Sequence, residues 1–262
     1  MTRCDVLKEI VQKKKERILM AKQSLPEEDL KRRMEGLAPA RPFSEAINKP
    51  RQISLIAEIK KASPSRGVIR ENFNLQELAR AYEEAGAAAL SVLTEEDYFL
   101  GNISYINEVK GIVKLPVLRK DFVLEPYQVY ESRFFGADAI LLIADLLSAE
   151  KISELMELAE SLGLGVLVEV HSDKELKKAL NLKAPLIGIN NRDLHTLEVD
   201  FNITQKLFPL IPRDKMVVVE SGIKKYQDVL FLKILGVNAV LIGEAFMEAG
   251  DIKTKVEEIM GW

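Results

Sequence analysis

Eight short apolar segments recur along this chain, at residues 53–60, 88–94, 116–120, 138–143, 165–171, 186–190, 216–221 and 239–242, and a stretch that reads as helix follows each one. Strict alternation of strand and helix implies parallel strands, because a parallel pair needs a crossover and a helix usually supplies it. Six of the segments, all but 138–143 and 239–242, finish in polar or chargeable residues, and their ends offer Glu58, Lys60, Lys120, Glu169, Asn190 and Glu220. Side chains two apart on a strand share a face, so Glu58 projects with Lys60, Leu167 with Glu169 and Val218 with Glu220. Charges on the inner side of a parallel sheet need a reason, and in such folds ligands gather beyond the carboxyl ends of the strands. No Gly-x-Gly-x-x-Gly follows any strand, as an open dinucleotide-binding sheet would carry. The pattern predicts an α/β fold, an eight-stranded parallel β/α (TIM) barrel with a helical N-terminal extension, whose mouth gathers those six side chains.

Helix punctuation agrees, with starts expected near Leu75, Ile103, Pro126, Ala149, Lys174, Asn202, Lys224 and Ile252. Pro126 suits a first turn, Ser148 and Asp173 suit amino-terminal caps, and Gly86, Gly136, Gly163 and Gly236 follow helix ends. Residues 51–262 make the barrel and residues 1–50 an extension. In the extension Val6, Leu7, Ile10, Val11, Ile18 and Leu19 mark one amphipathic helix before Pro26, followed by a helix over 27–35 and a turn over 43–47. The extension has too few apolar residues for its own core, so it is expected to pack on the barrel and to cover part of the mouth. The Lys13-Lys14-Lys15 run reads as a solvated helix face.

A chain of 262 residues, 47% hydrophobic and 29% charged, suits one barrel with a short appendage. Its formal net charge of −3 gives no basic excess to draw nucleic acid or anionic lipid, and a small soluble partner is expected instead. The start, Met1-Thr2-Arg3-Cys4-Asp5, lacks a signal peptide's apolar core, and the longest apolar run, 139–144, is too short to span a bilayer, so a cytoplasmic monomer is expected. Cys4 is the only cysteine, which excludes an internal disulfide and a cysteine-based metal site. His171 lies one dyad beyond Glu169 and reads as a hydrogen-bonded support, His195 has less claim, and no metal site follows from the two.

The run Glu58-Ile59-Lys60-Lys61-Ala62-Ser63-Pro64-Ser65-Arg66-Gly67 resembles the signature of the indole-3-glycerol phosphate synthase family. Further matches are Ser91-Val92-Leu93-Thr94-Glu95, Arg119-Lys120-Asp121-Phe122, Val168-Glu169-Val170-His171, Gly188-Ile189-Asn190-Asn191-Arg192-Asp193-Leu194, Glu220-Ser221-Gly222-Ile223 and Gly243-Glu244. They fall one per strand end, in the family's order, and the resemblance covers the whole chain. It implies closure of 1-(2-carboxyphenylamino)-1-deoxyribulose 5-phosphate to indole-3-glycerol phosphate in tryptophan biosynthesis, with loss of carbon dioxide and water and with no cofactor. By resemblance Lys120 is the general acid, Glu169 the general base and Lys60 a substrate anchor able to share the acid work. Glu58 and Asn190 orient hydroxyls and lysines, Glu220 completes the ring, and Phe99 and Phe122 flank the anthranilate ring.

The residues suit that chemistry on their own terms. Ring closure needs an acid at the ribulose carbonyl, and a lysine with an ordinary pKa of roughly 10.4 is a poor one unless burial or a neighbouring cation, here Lys60, lowers it. The phosphate is expected where Gly222 and Gly243 expose backbone N–H groups after the seventh and eighth strands, with Ser221 and Glu244 adding a hydroxyl and backbone donors. Arg192 and Ser63 are candidates for the substrate's carboxylate or phosphate. Any one lysine or glutamate at a strand end is ordinarily a salt-bridged rim residue, but six on one mouth desolvate charge at several kcal/mol each, which stability alone rarely assembles. Other readings of the same residues are a Schiff-base aldolase using Lys120, a phosphoribosyl-sugar isomerase, for which a cysteine or aspartate would be expected where Glu58 stands, and a non-catalytic sugar-phosphate binder.

Overall fold

Strands buried on both faces read as continuous aliphatic runs, and eight of these form a parallel sheet that closes on itself in the computed structural model, which describes residues 6–262. Cys4 lies outside the described residues. The strands are β1 (Ser54–Ile59), β2 (Ala89–Leu93), β3 (Val117–Lys120), β4 (Ala139–Ile143), β5 (Gly165–Val170), β6 (Leu186–Asn190), β7 (Met216–Glu220) and β8 (Ala239–Ile242). Closure is made by β1, which pairs with β2 on one side, Ile56 opposite Ala89, and with β8 on the other, Leu55 opposite Val240. The expected barrel is therefore the observed one.

Helices α1 (Val6–Ser24), α2 (Glu27–Arg33) and α3 (Phe43–Ile47) precede the barrel. Around it run α4 (Leu75–Glu84), α5 (Ser104–Lys110), α6 (Pro126–Phe134), α7 (Ala149–Ser161), α8 (Asp173–Asn181), α9 (Asn202–Leu207), α10 (Tyr226–Leu235), α11 (Glu244–Met247) and α12 (Ile252–Met260). Caps explain the starts: Asn74 accepts from the Gln76 and Glu77 N–H groups, and Ser148 accepts from Lys151. For α8 the cap is Ser172 and not Asp173, because the Ser172 hydroxyl accepts from Glu175 while Asp173 already sits in the first turn. α10 begins at Tyr226 and not Lys224, since the Asp228 carboxylate accepts the N–H groups of Lys224 and Lys225 and holds both outside the helix. Two elements had no sequence signal: α11, and a hairpin in the loop after β1 that pairs Ala62–Ser63 with Gly67–Val68.

Period-two alternation divides the core. Leu55, Leu90, Leu142 and Val168 face the helices, meeting Leu78, Tyr82, Leu155 and Leu232. Ile56, Leu118, Leu141, Leu167, Val218 and Leu241 fill the barrel's axis. The N-terminal helices add to this inner cluster from both ends. Phe43 and Ile47 of α3 enter at the amino ends of the strands, where the Phe43 Cβ lies 3.6 Å from the place a Gly165 Cβ would take. Leu7 and Ile10 of α1 enter beside Tyr98 and Phe99, which follow the carboxyl end of β2. Arg41 ties the floor down by donating its N–H to Asp138 at 2.6 Å and its guanidinium to the Val113 and Leu115 carbonyls.

The lysine run in α1 departs from expectation. Lys13 is exposed, but Lys14 is only 2% exposed and pairs with Asp121 at 2.9 Å and Glu96 at 2.6 Å. It lies on the stripe of Leu7, Ile10 and Ile18 at helical spacing, so burial of that stripe carries the ammonium inward. Among the described residues no helix is long and apolar enough to cross a membrane.

If α3 plugs the floor, Phe43→Ala should cost about 3–5 kcal/mol in denaturant unfolding. Leu19→Ala, at a site 59% exposed on α1, should stay within about 0.5 kcal/mol. Equal losses for the two variants would remove the plug from the account of stability.

Candidate active site

Because inward side chains alternate, the last inward residue of each strand stands at the mouth, and the last of these are polar on five strands or just beyond them. β1 supplies Glu58 with Lys60 just beyond it, β3 Lys120, β5 Glu169, β6 Asn190 and β7 Glu220, all lining one cavity of about 970 Å³. Lys60 Nζ lies 2.8 Å from Glu58 Oε1. Lys120 Nζ stands 3.4 Å from Glu169 Oε2 and 3.4 Å from Glu220 Oε2. Asn190 donates to Glu169 Oε1 at 3.0 Å while its own oxygen accepts the Arg192 N–H at 2.9 Å, which fixes the carboxamide from both ends.

Three carboxyl groups thus surround two ammonium groups in a place where Glu58, Glu169 and Glu220 are each no more than 5% exposed. Burial alone would lower the Lys120 pKa, but Glu169, Glu220 and Glu58 together outweigh it and hold the ammonium charged, well above the usual lysine value. The expected lowering by burial and Lys60 is corrected by this: the negative neighbours dominate. Burial would raise Glu58, and Lys60 with Lys120 reverses this and holds its carboxyl below the ordinary range. Glu220 goes the other way, pushed by burial to about 8 against the pull of Lys120, with Glu169 and Glu58 adding repulsion. Its Oε1 has no hydrogen-bond partner among the described residues.

Glycines make room for these carboxylates. A Cβ on Gly188 would fall 2.8 Å from Glu220 Oε1, and one on Gly243 would fall 2.5 Å from Glu58 Oε1. At Gly243 φ is −133°, so close approach and not backbone handedness demands glycine. After β7 both Ser221, at φ 65°, and Gly222, at φ 81°, are left-handed, which for the serine costs roughly 1–2 kcal/mol.

Ser221, Gly222, Gly243, Glu244 and Arg192 line the cavity on the side of β6 to β8. Glu244 offers more than backbone donors, since its carboxylate accepts from Arg192 at 3.2 Å, and Arg192 also donates to the Leu197 carbonyl. Phe99 and Phe122 line the cavity too, their ring centroids 6.2 Å apart. Ser63 does not: it is drawn into the hairpin, buried, 3.4 Å from the Ser65 hydroxyl, and it is Ser65 and Arg66 at the tip that reach the cavity wall. Lys224 and Lys255 also line the wall and had no local sequence signal, Lys255 least of all on the final helix. His171 is a support, its Nδ1 lying 2.8 Å from the Asn190 carbonyl, and His195 Nε2 lies 2.8 Å from Asp145 Oδ2. Glu95, Glu96 and Asp97 cluster closely enough to ligate a cation, but their carboxylates are engaged by the N–H groups of Asp97, Tyr98 and Phe99, by Lys14 and by Arg17.

Comparison with known proteins agrees with the geometry. A family model for indole-3-glycerol phosphate synthase matches residues 7–259. The chain belongs to the indole-3-glycerol phosphate synthase family. It is accordingly a carboxy-lyase of tryptophan biosynthesis. The indole-3-glycerol phosphate synthase of Desulforamulus reducens is 48% identical over 256 residues, covering 97% of each chain. That of Caldanaerobacter subterraneus subsp. tengcongensis is 49% identical, covering 98% of this chain and 99% of its own. Two distant solved structures share the fold alone. A mutant tryptophan synthase α-subunit from Pyrococcus furiosus has a TM-score of 0.61 at 19% identity, covering 80% of this chain and 98% of its own. The 3-hexulose-6-phosphate synthase of Salmonella typhimurium has a TM-score of 0.64 at 14% identity, covering 80% and 97%.

The Glu220 shift has a stability consequence. The folded carboxyl holds its proton up to about pH 8 and the unfolded one only to its ordinary 4.5, so the stability it contributes is full below the lower value and is lost as pH rises toward the upper. Glu220→Gln removes that loss, so its Tm gain over the native protein should be larger at about pH 9 than at about pH 5. A gain independent of pH would contradict the assignment of the proton to Glu220.

Proposed function

We propose that Lys120 and Glu169 divide the proton transfers of the family reaction, closure of 1-(2-carboxyphenylamino)-1-deoxyribulose 5-phosphate to indole-3-glycerol phosphate. The observation that carries this is the Lys120 ammonium held 3.4 Å from the carboxyl groups of Glu169 and Glu220 at the centre of the mouth. Ring closure joins the aromatic carbon bearing the carboxylate to the ribulose carbonyl carbon, and the carbonyl π electrons move onto oxygen. That oxygen becomes alkoxide-like and far more basic than an amine, so it takes the Lys120 proton although the carboxylates hold it tightly at rest. Departure of carbon dioxide returns its electron pair to the ring. Loss of the new hydroxyl as water then takes a second proton, and Glu169 removes the hydrogen from the neighbouring carbon to complete the indole. Glu220, protonated near neutrality beside Lys120, can restore the acid between steps.

Lys60, steadied by Glu58, anchors the anionic substrate, while the Ser221-Gly222 turn and Gly243, with Arg192 near, receive the phosphate. Phe99 and Phe122 flank the anthranilate ring, and Asn190 keeps Glu169 aimed. No cofactor enters this scheme. A lysine held charged disfavours the aldolase reading, which needs a neutral amine to attack a carbonyl. Residues 1–50 serve the barrel as an extension, and the chain works as a cytoplasmic monomer, so light scattering should give the mass of one chain and a dimer would contradict this.

Lys120→Ala should lower kcat by roughly 10²–10⁴-fold or more with a smaller change in KM, because the acid is needed only as charge develops. Lys60→Ala should act mainly on KM, since an anchor is felt in ground and transition states alike. A Lys120 variant with native kcat, or a larger kcat loss for Lys60→Ala, would transfer the acid role to Lys60. Absence of any absorbance change from indole formation by the native chain would favour a non-catalytic binder.

A further inference from the structure

We propose that Lys14, outside the barrel and outside the cavity, is a positioning residue for the reaction: its ammonium clips together the loop that carries Phe99 and the loop that carries Phe122 and continues directly from Lys120. The inference rests on the reaction assigned above. Lys14 Nζ stands 2.9 Å from Asp121 Oδ1 and 2.6 Å from Glu96 Oε2. Asp121 follows Lys120 directly and lines the cavity, and Glu96 belongs to the loop after β2 that also carries Phe99. One ion from α1 therefore joins the loops after β2 and β3.

The remaining bonds of Asp121 make the clip stiff. Its Oδ2 accepts from the Thr94 hydroxyl at 2.6 Å and from Arg119 at 3.0 Å, and its Oδ1 accepts from the Phe122 N–H at 2.8 Å. Arg119 cannot neutralise Asp121 alone, because the same guanidinium pairs with Glu131 at 2.9 Å. Lys14 supplies a second positive charge beside it, shared with Glu96. Burial works against a charged ammonium there, and Asp121 with Glu96 more than restores it. Without Lys14 the buried Asp121 carboxylate has an unbalanced charge and a reason to turn toward water, which would drag the Phe122 N–H and the adjoining Lys120 with it. Lys120 also anchors this strand end to its neighbour, its carbonyl accepting the Thr94 N–H at 3.1 Å. The aromatic wall and the general acid thus share one support.

The test compares Lys14→Met, Lys14→Arg, Glu96→Gln and the exposed control Lys13→Met, assayed well below each Tm for product formation and, separately, for hydrogen exchange over residues 94–101 and 119–125. Lys14→Met should lose about ten- to a hundredfold in kcat/KM, with KM carrying the larger share because the aromatic wall acts in ground and transition states alike. Lys14→Arg should recover most of it, and Lys13→Met should match the native chain. Both segments should exchange faster in Lys14→Met. Should that variant fail to fold, Glu96→Gln decides, since Glu96 is 34% exposed and its loss spares the core while opening half of the clip. It should raise KM with little change in Tm. Unchanged KM in every folded variant, even with a lowered Tm, would make Lys14 a stability residue and overturn the proposal. A native chain that forms no product would instead sink the reaction assignment, and exchange alone would then show whether the clip exists.

Discussion

Closing eight parallel strands on one another forces every second side chain onto a common axis, and the rest of the molecule follows from what those side chains are. Below the mouth they are Ile56, Leu118, Leu141, Leu167, Val218 and Leu241, which fill the axis and leave no channel. At the mouth the same geometry brings Glu58, Lys120, Glu169, Asn190 and Glu220 within reach of one another. The chain accepts desolvated charge there because each lysine has a carboxylate beside it and one carboxyl keeps its proton. Gly188 and Gly243 matter for the same reason, as a side chain at either would occupy the volume that a site carboxylate needs.

The electrostatics divide into two linked networks. One is the ring around Lys120 inside the mouth. The other lies behind it, where Lys14 and Arg119 are shared among Asp121, Glu96 and Glu131 beneath α1. Consecutive residues of β3 and its exit belong to alternate networks: Arg119 and Asp121 behind, Lys120 in front. The period of two that builds a strand thereby lets one short segment belong to both networks.

The sequence carried the barrel and most of the mouth because both depend on local periods. Strand ends could be read from alternation, and Glu58, Lys120, Glu169, Asn190 and Glu220 sit where that alternation puts them. What escaped depends on tertiary neighbours. Lys14 sat between two other lysines, and the telling signal was its helical register with Leu7, Ile10 and Ile18 and not its charge. Ser63 and Ser65 are two apart, and only the hairpin decides which one meets the cavity. The direction of the Lys120 shift turned on how many carboxylates surround it, a count that no single strand contains. Gly243 reads from the sequence as a backbone donor to phosphate, whereas the limit on a side chain there comes from Glu58 on another strand.

The pairing of β1 with β8 has a consequence for how the chain is made. β1 and β8 are the first and last strands of the barrel to be made, so at synthesis rates of roughly 5–20 residues per second one edge of β1 waits on the order of tens of seconds for its partner. That edge is aliphatic and rich in unpaired backbone groups, a template for association with another nascent chain. α3 lies immediately before β1 in the chain and packs Phe43 and Ile47 into the same inner cluster as Ile56. A segment that covers the floor of the finished barrel is thus also the nearest cover available to its first strand, and it emerges before that strand does.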